Sequence, residues 1–183
     1  PSTDLGGLRD GLNGTLPEDV AVRDVSEAPV GFDARGDATS RRYTYRLLTG
    51  PPSPLRRTHV LHVRGRVDVA AMQLAAIATC GQHDFTAFTP TQTQHVFFER
   101  TVLHCDWQEV DDELIFTIEA DAFLRHMVRV LVGTMLEVGR GVRSEEQFVS
   151  LLEGVTRDLA GPTAPAHPLT LVHVGYPPRG TRA

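Results

Sequence analysis

From Val20 to Ala28 the chain reads VAVRDVSEA, apolar and polar residues in turn, which is the pattern of a half-buried strand. RRYTYRLLT (41–49) alternates in the same way, with Tyr43 and Tyr45 on one face and Arg42, Thr44 and Arg46 on the other. HVFFERTVLHCDWQEV (95–110) is long enough for a strand with a bulge. DDELIFTIEA (111–120) opens with a turn and returns as a strand, so the two form a hairpin. LTLVHVGY (169–176) is the last strand. Helical spacing predicts VDVAAMQLAAIATC (67–80), with Asp68 as N-cap, and AFLRHMVRVLVGTMLEVGRG (122–141), closed by Gly139 and Gly141. SEEQFVSLLEG (144–154) is a short helix whose Ser144 and Gln147 form a capping box. Residues 1–19 read as the end of a helix and a turn, and THVLHVRG (58–65) is ambiguous. PVGFDARGDATS (29–40), PPSPLRR (51–57) and GPTAPAHP (161–168) are loops. A hairpin among intermixed helices predicts an α+β fold, a mostly antiparallel sheet with helices on one face.

The helix over 122–141 is unusual on physical grounds. Phe123, Leu124, Met127, Val128, Leu131, Val132, Met135 and Val138 cover more than one stripe, so it should be central and largely buried. Yet Arg125 and Arg129 sit in it four residues apart, with His126 beside them. A buried arginine needs a carboxylate or a wet cleft. Either the two arginines form a solvated edge, or one faces a cleft and pairs with an acid there.

Composition narrows the class. At 41% hydrophobic and 22% charged residues the chain can bury a core and reads as soluble and globular. No apolar run is long enough for a membrane helix, and the start lacks the pattern of a signal peptide. Cys80 and Cys105 are expected to be reduced thiols, which fits the cytoplasm. The net charge of -5 argues mildly against a nucleic-acid partner, but all 18 basic residues are arginine and they cluster at 41–46, 56–66 and 125–129. Arginine suits bidentate phosphate contact and base stacking, and high genomic GC content produces the same bias. His59 and His62 have a ligand-like spacing without further ligands nearby, so no metal site is expected. Cys80–His83–Asp84 could suggest a thiol nucleophile, but a core or surface cysteine is the simpler reading.

Taken together, several segments resemble one family. LNGTLPEDVAV (12–22), FDARGDATSRRYTY (32–45), HDFTAF (83–88), AFLRHMVRVLVGTMLEVGRG (122–141) and AGPTAPAHPLTLVHVGY (160–176) resemble, in order, the motifs of the tRNA pseudouridine synthase A (TruA) family. The resemblance implies the pseudouridine synthase fold, two α/β halves facing each other across a basic cleft. Residues 1–50 would be the end of an incomplete N-terminal half carrying the R-x-Y-x-Y strand, and 51–183 the C-terminal half. It implies conversion of uridine to pseudouridine in the tRNA anticodon stem-loop without cofactor or metal. The partners it implies are tRNA and a second copy of the chain, with no DNA and no membrane. The base must leave its stack to be reached.

By the same resemblance, Tyr43 stacks on the target base, Arg129 pairs with the catalytic aspartate and keeps it ionised, and Leu169 packs beneath the base. Pro168 stands where the family has glycine. The family's nucleophile lies in a Gly-Arg-Thr-Asp segment that these residues do not contain, and Asp33 and Asp37 fall in a different motif, so the chain alone is expected to be inactive. A catalytically dead tRNA-binding or dimerisation module is the alternative from another class.

Overall fold

The computed structural model describes residues 4–177, which divide into two compact units, residues 4–37 and residues 38–177. The first unit is local in construction. Helix α1 (Leu5–Asn13) ends at Gly14, whose N–H donates to Asp10 O. The strand expected over 20–28 is absent: the segment pairs with no strand among the described residues. Its backbone is held instead by the Asn13 side chain, which donates to Val22 O at 2.9 Å and accepts from Val22 N at 2.7 Å. Alternation marks a segment able to be a strand, but a strand also needs a neighbour.

The second unit is a six-stranded sheet. Its strands are β1 (Ser40–Leu48), β2 (Leu61–His62), β3 (Gly81–Asp84), β4 (Glu99–Val110), β5 (Glu113–Ala120) and β6 (Leu169–Gly175). The order β2-β1-β5-β4-β3 is antiparallel throughout except for the short parallel pair β1–β2, and β6 pairs with β1 alongside β2. The predicted hairpin is β4–β5, turning through Asp111 in the left-handed region at φ 55°, and β4 carries the bulge between Val102 and His104. Because β1 is bonded along its length to β5 and β6, the R-x-Y-x-Y strand sits in the sheet of the C-terminal segment. The boundary between the two compact units falls between residues 37 and 38.

One face of this sheet carries Tyr45, Leu47, Phe116, Ile118, Cys105 and Trp107, all buried. Helices α2 (Val69–Thr79) and α3 (Met127–Gly139) cover it. Each buried large side chain contributes roughly 1.5–3 kcal/mol. The opposite face is polar: Arg42 pairs with Glu119 at 2.6 Å, across the β1–β5 register. The caps are as predicted: the Asp68 carboxylate accepts from Ala71 N at 3.0 Å, and Ser144 and Gln147 form the capping box of α4 (Glu145–Val149).

The helix expected over 122–141 begins only at Met127. Residues 125–126 form a turn closed by Met127 N donating to Leu124 O, and His126 takes the left-handed conformation at φ 61°. Arg125 therefore lies outside the helix and is not an i,i+4 partner of Arg129. Phe123 and Leu124 still point into the core, which is why their spacing imitates a helix.

Glycines set how closely this helix approaches its neighbours. A Cβ on Gly133 would fall inside the van der Waals surface of Pro162 O, and one on Gly161 would lie 2.8 Å from Thr134 Cα. Loop 161–165 is thus pressed directly on the α3 backbone, with Gly161 N donating to Thr134 Oγ1 at 3.0 Å. Gly133→Ala should destabilise the protein by about 1 kcal/mol, because overpacking of about 1–3 kcal/mol outweighs the gain of about 1 kcal/mol in helix propensity. Urea unfolding reads this directly: the midpoint should fall, and an unchanged or higher midpoint would mean the loop does not bear on the helix.

Candidate active site

Arg129 projects from the first turn of α3, half-buried, and is tied to one residue by two bonds. Its side-chain Nε donates to Ala164 O at 2.6 Å, and its carbonyl accepts from Ala164 N at 3.1 Å. The close approach at Gly133 puts Ala164 within reach. Among the described residues the remaining guanidinium N–H groups have no hydrogen-bond partner and no carboxylate lies within ion-pair distance.

The next loop residue connects this arginine to the sheet. Tyr45 Oη donates to Pro165 O at 2.9 Å. Burial pushes the Tyr45 phenol well above its usual value, opposed by the nearby Arg129 charge, so it stays a neutral donor. Tyr45 is the β1 register partner of Leu169, whose own N–H donates to Ala166 O. Tyr43 lies two residues along the same face of β1, about 7 Å away at strand spacing. Its ring meets Phe123 edge-on, with centroids 5.2 Å apart and planes at 88°. Tyr43, Leu169 and Arg129 are therefore linked through Tyr45 and the 164–165 backbone. Leu169 and Tyr43 are both half-buried against the core.

Tyr45, Phe123, Ala164 and Gly133 were not singled out as site residues by the sequence. Tyr45 and Phe123 follow the apolar pattern of core positions, and Ala164 acts only through its backbone. The glycine in the Val132–Gly133 pair was the available signal, since an internal helix glycine needs a packing reason.

Other candidates have structural roles. Asp33 Oδ1 accepts from Arg35 N and Gly36 N, both at 2.7 Å, which holds its carboxyl below the usual range. Asp37 Oδ2 accepts from Asp33 N, so both acids are engaged in their own loop. His83 Nε2 contacts Cys80 O rather than the thiol, and burial raises the Cys80 thiol, so this is no activated nucleophile. Both cysteines are free. His62 Nε2 contacts Gly50 O, and no metal-ligand cluster occurs among the described residues.

The charge pattern singles out the same place. No Asp or Glu occurs in residues 38–67, 85–98, 122–136 or 159–177, although the chain has 23 acids and a net charge of -5. These are the segments that carry Tyr43, Phe123, Arg129 and Leu169. Glu119 and Asp121 lie close by on β5 and after it, but Glu119 is held by Ser40 and Arg42, and Asp121 Oδ1 accepts from Thr101 N and Ala122 N.

His126 reports on this field. Partial burial, followed by Arg129 and Arg125, lowers its pKa below the usual 6.5. Above pH 6.5 it is neutral in folded and unfolded chains alike. As pH falls through 6.5 towards the lower folded value, the unfolded chain takes up a proton that the folded one resists, so stability is lost. A proton NMR titration should place the His126 midpoint below 6.5, and Arg129→Ala should raise it. A midpoint above 6.5 would contradict the positive field.

A family model described as tRNA pseudouridine synthase matches residues 75–177. The tRNA pseudouridine synthase A of Chloroflexus aurantiacus is 45% identical over 176 residues, 92% of this chain and 62% of that protein. That of Anoxybacillus flavithermus is 41% identical over 165 residues, 90% of this chain and 67% of that protein. That of Frankia casuarinae is 43% identical over 177 residues, 95% of this chain and 64% of that protein. The chain thus spans about two thirds of the length of the curated relatives it matches. With the α+β sheet in place and likeness along nearly its whole length, this chain belongs to the tRNA pseudouridine synthase family.

Proposed function

We propose that this chain supplies the uridine-binding wall and the arginine partner of a tRNA pseudouridine synthase acting on the anticodon stem-loop. The carrying observation is Arg129, oriented by Ala164 while its outer N–H groups have no hydrogen-bond partner among the described residues. A guanidinium held in this way suits bidentate pairing with a carboxylate. The carboxylate would be the family's nucleophilic aspartate, from outside residues 1–183. It would attack the target nucleotide so that the base detaches, turns and rejoins the ribose through carbon. Tyr43, braced by Phe123, would stack on the flipped uracil, and Leu169 would close the site from below. No step calls for a metal or cofactor.

The acid-free segments support an RNA partner despite the net charge, because phosphate is drawn by local potential. Arg57, Arg64 and Arg66 are exposed in one such segment. The reading includes a homodimer, supported by Leu74 and Ile77 exposed on the outer side of α2, and a cytoplasmic setting, supported by the two free thiols.

In the full-length enzyme, Arg129→Ala should slow single-turnover conversion at least a hundredfold while changing filter-binding affinity for tRNA only a few-fold. Losing one partner of a buried ion pair costs about 3–5 kcal/mol, whereas RNA affinity is spread over many phosphate contacts. Tyr43→Phe should lower the rate comparably if the hydroxyl moves a proton and only mildly if the ring stacks. If Arg129→Ala weakened tRNA binding strongly while the bound RNA reacted at the normal rate, Arg129 would be a phosphate contact instead.

A further inference from the structure

The connection from the end of β3 to β4 contains a surface that the proposed chemistry leaves unused. Its first part is inside: Phe85 and Phe88 are fully buried, and Phe85 N donates to Phe98 O at 3.1 Å. Its tip is outside. Val96 is 79% exposed and Phe97 81% exposed, whereas Phe98 packs against the core. An isolated exposed apolar residue is ordinary, so exposure alone argues nothing. Three further features make this one specific.

The tip is held in place. Arg100 Nη1 donates to Phe97 O at 3.0 Å and to Glu99 O at 2.6 Å, and His95 N donates to Thr93 Oγ1 at 3.2 Å. The Phe97 ring is thus displayed from a backbone whose carbonyl is fixed. The loop also borders the candidate site at both ends. Thr89 Oγ1 donates to Arg125 O at 3.1 Å, and past the loop Thr101 N donates to Asp121 Oδ1 at 3.1 Å. It therefore frames segment 121–125, which carries Phe123, the brace of Tyr43. Finally, the loop suits one kind of partner. Residues 85–98 contain no acid, the next being Glu99 at the start of β4, and exposed Gln92 and Gln94 offer both donors and acceptors.

We propose that Phe97, flanked by Val96, is a stacking platform for an unpaired base of the RNA that enters the site. A planar ring held beside a neutral, hydrogen-bonding loop fits a nucleobase face, and stacking is tolerant of sequence. The platform lies outside the chemistry. It selects RNA whose bases are unstacked next to the target uridine, so it bears on discrimination between looped and fully paired RNA. The proposal rests on the RNA reading above.

The test compares binding of the protein to a fluorescent hairpin RNA with an unpaired loop and to a fully paired RNA of the same composition. Phe97→Ala should weaken hairpin binding about tenfold, the size of one base–aromatic stack, and leave duplex binding unchanged. Phe97→Trp should restore the hairpin affinity. The melting temperature should not move in either variant, since the ring is exposed. If Phe97→Ala leaves hairpin affinity intact while Arg125→Ala lowers it, the RNA reading stands and the platform is wrong. Should the wild-type protein bind neither RNA, both are wrong. A change of sedimenting mass in Phe97→Ala with unaltered RNA affinity would assign the ring to a protein contact and overturn the proposal.

Discussion

The contact between α3 and loop 161–165 is the constraint on which the site depends. Two backbones meet there without side chains between them, because Gly133 and Gly161 leave room and Thr134 Oγ1 accepts from Gly161 N. A glycine inside a helix costs about 1 kcal/mol relative to alanine. In return the loop docks in one position, and its successive residues take separate duties. Ala164 holds Arg129, Pro165 receives the Tyr45 hydroxyl, and Ala166 O accepts from Leu169 N at the start of β6. Loosening one contact would free an arginine, a tyrosine and a strand terminus together.

The electrostatics follow from that geometry. A half-buried guanidinium is costly unless its N–H groups are satisfied. A carbonyl satisfies Nε and sets the direction of the group, but it leaves the positive charge uncancelled. Acids elsewhere in the sheet are already engaged: Glu113 by Arg46 and Arg56, Glu119 by Arg42 and Ser40. Arg129 and Arg125 thus act as positive charges on His126 in a chain whose total charge is -5. Net charge is a poor guide here because a charged partner would respond to the local potential, which falls off over a Debye length of about 8–10 Å.

His126 shows where local preference yields to tertiary demand. A left-handed conformation at a residue with a Cβ costs on the order of 1–2 kcal/mol. The turn it makes lets Phe123 and Leu124 reach the core from outside the helix, and brings the Arg125 carbonyl to Thr89. Without it, the apolar residues would continue the helix and Phe123 would not be positioned against Tyr43.

Much of the architecture was legible in the chain. Periodicity located β1, β4, β5, β6 and α2, the Asp68 and Ser144 caps were visible as residue types at helix starts, and the Asp111–Asp112 turn marked the hairpin. These are local matters, decided by side-chain chemistry within a few residues. The ordered motifs likewise pointed to the family. Pattern could not show that 20–28 lacks a strand partner and is held by Asn13, or that α3 starts five residues late. Nor could it reveal that Arg129 is aimed by the backbone of a residue 35 positions away. Strand pairing, backbone-to-backbone approach and the direction of a guanidinium depend on groups every residue has, or on distant chain segments. The sequence by itself determined which segments could be strands or helices and which side chains could do chemistry; only the packing of loop 161–165 on α3 decided how Arg129, Tyr45 and the start of β6 are brought together.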